Sequence, residues 1–71
     1  PGGYGRDFWG GQFRFYNRVL EELKKTKRKY EGRGASPELT RINNAIRYFE
    51  NQLSELERKA SFAGVPRNWR E

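Results

Sequence analysis

The sequence predicts an all-α fold, a two-helix antiparallel coiled-coil hairpin whose aromatic N-terminal arm and short C-terminal tail pack together at its open end. Three observations carry this. Leu39, Ile42, Ile46, Phe49, Leu53, Leu56, Ala60 and Ala63 follow one another in alternating steps of 3 and 4, the spacing that keeps one narrow stripe facing a partner helix. The segment Gln12 to Glu31 contains no Gly or Pro and is rich in strong helix formers. Between the two lies Gly32-Arg33-Gly34-Ala35-Ser36, a loop of a length suited to joining antiparallel neighbours.

Taken in order, residues 1–11 hold five of the eight Gly together with Tyr4, Phe8 and Trp9, which reads as an irregular arm leading into a helix. Asp7 is a candidate cap, but Gly10 and Gly11 would weaken a first turn placed there. The first helix is therefore expected over about 12–31, with basic residues in its last turns where the helix dipole favours them. Gly32 is the expected left-handed stop. Ser36-Pro37-Glu38 supplies a hydroxyl cap, a proline at the first helical position and an acid in the first turn, so the second helix is expected over about 37–63. Gly64-Val65-Pro66 ends it. The chain divides into an arm (1–11), a helical hairpin (12–64) and a tail (65–71).

Folding about the loop sets Leu23 near Ile46, Val19 or Leu20 near Phe49, and Tyr16 near Leu53. At the open end Phe8, Trp9 and Phe13 oppose Leu56, Ala60 and Ala63, large against small. Val65 and Trp69 are expected to fold back onto this cluster. The first helix carries more apolar surface than one neighbour can bury, because Phe8, Trp9, Phe13, Phe15, Tyr16, Val19, Leu20 and Leu23 cover a wide arc at 100° per residue. The excess lies under the termini or meets a partner.

Composition bounds function. A chain of 71 residues makes one small domain of marginal stability. With no Cys and no His, neither a disulfide nor the usual metal set can staple it, and the compartment stays open. No apolar run reaches the roughly 18 residues of a membrane span, and no secretory signal pattern stands at the start. The chain begins at Pro1 and holds no Met, as expected of a processed product or a fragment of a longer protein. The same inventory argues against catalysis: there is no His base and no Cys nucleophile, and Ser36, Ser54 and Ser61 have no base beside them. Glu21 with Glu22, and Glu55 with Glu57, fall on solvated helix faces. Gly3-Tyr4-Gly5 lacks the strand and third Gly of a dinucleotide fingerprint. No cofactor or metal is implied.

Two binding readings remain. The first is a non-catalytic protein-interaction module, with Trp9, Phe13, Phe15, Val19 and Trp69 as anchors for another protein, the parent chain or a second copy in a four-helix bundle. Arg6, Arg14, Arg18, Arg67 and Arg70 add the arginines common at such surfaces. The second is sequence-nonspecific RNA or DNA binding through the hairpin tip. There Lys24, Lys25, Lys27, Arg28, Lys29 and Arg33 are offset by Glu31 alone, six charges against one leaving +5 in a chain of net charge +6. Such runs are ordinarily just solvated. A membrane surface is disfavoured because the apolar stripe of the second helix is committed to the first.

Overall fold

In the computed structural model, which describes residues 4–70, two long helices lie side by side. Helix α1 spans Arg6–Glu31 and helix α2 spans Pro37–Phe62, followed by a 3-10 turn over Arg67–Trp69. The described residues contain no strand. The hairpin is a rod of 48 × 15 × 15 Å measured on Cα atoms.

Helix α1 starts earlier than the sequence suggests. The part of the expected arm from Arg6 onward is helical and the cap is Gly5, whereas Asp7 lies in the first turn and no side chain caps the helix. Residues 1–3 of the arm lie outside the described residues. Two glycines in a helix cost about 1 kcal/mol each, but through this same stretch Phe13 is buried in the core and Trp9 is half-buried against it. Burial of a large apolar side chain returns about 1.5–3 kcal/mol, so tertiary packing overrides local propensity.

Gly10 has a further reason to be glycine. A Cβ built on it would stand 3.0 Å from Nη1 of Arg14 and 3.1 Å from the Trp69 carbonyl oxygen, so the C-terminal turn rests on bare helix backbone. Gly11 has nothing within 4 Å of the same position.

The connection differs in one detail. Gly32 keeps right-handed helical geometry (φ −73°), and Gly34 takes the left-handed conformation (φ 79°). The Arg33 amide donates to Tyr30 O at 3.0 Å, so the last turn tightens by one residue before the chain reverses. Helix α2 begins as its sequence dictates: the Ser36 hydroxyl accepts the Leu39 amide at 3.1 Å, with Pro37 and Glu38 in the first turn.

At its other end α2 closes in a Schellman motif. Val65 N donates to Ala60 O (2.9 Å) and Gly64 N to Ser61 O (3.1 Å), with Gly64 left-handed at φ 75°. Ala63, expected in the seam, is the C-cap and is exposed. The apolar stripe of α2 ends at Ala60, because the chain leaves the helix axis one turn too early for Ala63 to face α1. Val65 takes its place and joins Phe13, Leu56 and Ala60 in the buried cluster, with Trp9, Tyr16, Leu53 and Trp69 packed around them. Tail and aromatic residues thus meet at the open end, as the sequence predicts.

These contacts give two expectations. Gly11→Ala should raise the unfolding free energy by about 0.5–1 kcal/mol, while Gly10→Ala should lower it by about 1 kcal/mol because the added methyl strikes tail backbone that cannot swing aside. Urea denaturation followed by circular dichroism separates the two, and equal effects would contradict the contact. Ser36→Ala should cost about 1 kcal/mol through loss of the cap, read by the same titration.

Candidate functional site

The sides of a two-helix rod are covered by neither helix, and here the two sides differ in character. On one, Asn17, Glu21 and Lys24 of α1 face Glu50 and Ser54 of α2, with Lys24 and Glu50 in an ion pair at 3.8 Å. This side is polar. The other carries aromatic rings that the core does not use.

Its positions follow from helical geometry. Phe8, Gln12, Phe15 and Val19 step by 4, 3 and 4 along α1, which at 3.6 residues per turn places them in one row beside the core stripe. Ala45, Tyr48, Gln52, Glu55 and Lys59 form the matching row on α2, in steps of 3, 4, 3 and 4. Toward the open end the rows flank a shared groove of about 360 Å³ between the helices, with Tyr4, Phe8, Trp9, Gln12 and Tyr16 on one wall and Gln52, Glu55, Leu56 and Lys59 on the other, and Phe15, Val19, Ala45 and Tyr48 lie beyond it.

The rings form two connected groups. Tyr4 stacks on Phe8 with centroids 4.1 Å apart, and Phe8 meets Trp9 edge to face at 5.5 Å. Farther along, Phe15 contacts Tyr16, Tyr16 reaches across to Phe49 at 6.2 Å, and Phe49 contacts Tyr48, so four rings cross the hairpin from α1 to α2. Tyr4, Phe8, Phe15 and Tyr48 are 40–56% exposed. Four large aromatics left half-open on one side of a small domain form a patch, in contrast to the scattered apolar residues every surface carries.

The anchors read from sequence divide. Phe15 is exposed on this face and Val19 is half-buried beside it. Phe13 is only 2% exposed and forms the centre of the core, so it is removed from the set of surface anchors. Trp9 and Trp69 are half-buried against the core. Trp9 still lines the groove, whereas Trp69 packs at the very end of the rod. Tyr4, Phe8 and Tyr48, exposed on this side, are not among the anchors read from sequence, and Tyr16 is half-buried against the core. Reading the first helix from residue 12 hid the row that Phe8 and Phe15 form seven residues apart.

The basic tip is partly neutralised. Lys24 pairs with Glu50, Lys25 lies 3.7 Å from Glu22, and Lys27 is half-buried. Arg28, Lys29 and Arg33 form no salt bridge among the described residues, and the Arg33 guanidinium lies 5.4 Å from the centroid of the Tyr30 ring. At the other end Arg70 is structural: its Nη2 donates to Val65 O at 3.0 Å, while its buried Nε has no partner. Phe62, 97% exposed on the back of α2, stands alone with Arg58, Lys59 and Arg70 nearby. Among the described residues no set of His, Cys, Asp or Glu converges as a metal site, and no helix is long and apolar enough to cross a membrane.

The two phenylalanines of α1 should separate cleanly on truncation. Phe13→Ala should cost about 3–5 kcal/mol, enough to unfold most of a domain this small, and Phe15→Ala should stay within about 0.5 kcal/mol of the parent chain. Thermal melts of both variants check this, and a large loss for Phe15→Ala would return that residue to the core. No family model matches the chain, and no curated protein or solved structure shows significant similarity to it.

Proposed function

We propose that the chain is a non-catalytic protein-interaction module that presents the aromatic side of its hairpin, built around Phe8, Phe15 and Tyr48, to another protein or to the rest of its parent chain. The observation that supports this is the placement of those rings. They stand on one side of the rod, Phe8 lining the groove between the helices and Phe15 and Tyr48 beyond it, while the core closes without them. Tyrosine and tryptophan offer large contact area together with a hydrogen-bonding tip, and exposed aromatic patches of this kind mark contact surfaces. The glutamines Gln12 and Gln52 add neutral donors and acceptors to the same groove.

The test is a triple variant, Phe8→Gln, Phe15→Gln and Tyr48→Gln. Helicity and melting temperature should change little, whereas photo-crosslinking through a benzophenone placed at Gln52 should lose every protein adduct the parent chain gives. Adducts that persist unchanged would refute the reading.

A second reading keeps the unbridged cations Arg28, Lys29 and Arg33 as a phosphate-binding tip without sequence preference. Its signature is anisotropy of labelled RNA or DNA that rises on titration and weakens steeply with salt. No binding at low salt dismisses it.

A further inference from the structure

The charge pattern of the aromatic side fits a second copy of the same chain. The chain exposes 5520 Å², whereas a compact monomer of its mass would expose about 4600 Å². The surplus, roughly 900 Å², is spread over the whole rod and is large enough to accommodate the ~800 Å² that one partner contributes to a standard interface. It follows from the two-layer build, since a rod of two helices leaves both sides open, and only one of them carries aromatic rings.

We propose that the chain forms a two-fold dimer, a four-helix bundle in which two hairpins stack aromatic side to aromatic side and antiparallel, with Tyr48 at the symmetry axis. This rests on the reading of that side as an interaction surface and names its occupant. With the axis at Tyr48, α2 runs against α2 of the copy. Glu55 and Arg41 lie equal distances along the helix on either side of Tyr48, so Glu55 of each copy meets Arg41 of the other. Lys59 lies eleven residues after Tyr48 and Glu38 ten before it, so these opposite charges fall within one residue of each other one turn farther out. Two-fold symmetry makes each opposite-charge contact twice. Arg41, Glu38 and Lys59 form no salt bridge within the described residues, and Glu55 holds only Arg58 on its own surface.

The α1 side agrees. Phe49 meets Tyr16 and Glu50 meets Lys24 within one hairpin, so Tyr48 lies level with the α1 residues midway between those two. The same axis then sets Val19 over Leu23 of the copy and Phe15 over Thr26, which are neutral, and places Glu22 beside the axis, where its ion pair with Lys25 offsets its charge. It also carries Phe8 to the copy's loop at Arg33, a cation over an aromatic face. Stacking in the opposite sense would set two basic tips side by side, each with Arg28, Lys29 and Arg33 outside any salt bridge among the described residues, where like charges repel. The antiparallel arrangement holds them at opposite ends of the rod.

The test uses the full chain and exploits its lack of cysteine. Tyr48→Cys should form a disulfide-linked dimer rapidly under mild oxidation, because the axis brings the two sulfurs together. Ser54→Cys, on the polar side, should not. In sedimentation equilibrium the unmodified chain should reach a dimer, Glu55→Arg and Arg41→Glu should each weaken it roughly tenfold, and the double reversal should restore it. A chain that stays monomeric at roughly 0.5 mM, a Ser54→Cys dimer formed as fast as the Tyr48→Cys dimer, or a double reversal no better than the singles would each overturn the dimer. A monomeric parent whose Gln52 adducts still vanish in the triple aromatic variant overturns self-association alone. Adducts that survive that variant overturn the interaction surface itself.

Discussion

Packing of Phe13 against Leu56, Ala60 and Val65 is the contact on which the rest of the molecule depends. Two helices alone offer each other a single narrow stripe, and the described residues bury only six apolar side chains. Four of those six meet at the open end. Ala60, with no exposed surface, is small enough for Phe13 and Val65 to close over it, and the Schellman hydrogen bonds fix where Val65 arrives. The closure depends on backbone as much as on side chains: Gly64 provides the left-handed turn, and Gly10 lets the Trp69 carbonyl settle on α1. With the open end sealed in this way, α1 stays helical through two glycines.

That economy decides what is left for function. The described residues beyond α2, 63–70, cover the end of the rod but none of its length, so the sides keep whatever character the sequence gives them. One side is polar and carries an interhelical ion pair. The other carries rings whose burial the fold does not require. The contrast matters more than the amount of exposed apolar surface, because a small domain with aromatics scattered all round would only be poorly soluble. Salt bridges do not alter the balance. All three in the described residues join half-exposed or exposed side chains, and such pairs contribute little to stability.

The parts of this structure visible in the sequence are those governed by local chemistry. The hairpin, the Ser36-Pro37 start, the Gly64 stop and the return of Val65 and Trp69 all follow from spacing and capping residues. What escaped depended on contacts distant in sequence. The helical state of Arg6 to Gly11 comes from Trp9 and Phe13 entering a core completed some fifty residues later, and composition alone argues for an irregular arm. The left-handed residue of the loop falls on Gly34 instead of Gly32 because either glycine can take it, and the tertiary path selects one. Phe13 was grouped with surface anchors because an arc that is too wide for one partner does not say which of its members turn inward. The exposed row of Phe8 and Phe15 emerges only once the helix is known to begin before Phe8.

The central claim is that the aromatic side is a contact surface and the opposite side is not. The most direct measurement is a dilution series of two-dimensional amide NMR spectra on the isotopically labelled chain. The account predicts concentration-dependent shifts confined to Phe8, Phe15, Val19, Ala45, Tyr48 and Gln52, with Asn17, Glu21 and Ser54 unmoved. Shifts centred on Asn17, Glu21 and Ser54 would contradict it, whereas spectra that do not change with concentration would overturn self-association alone.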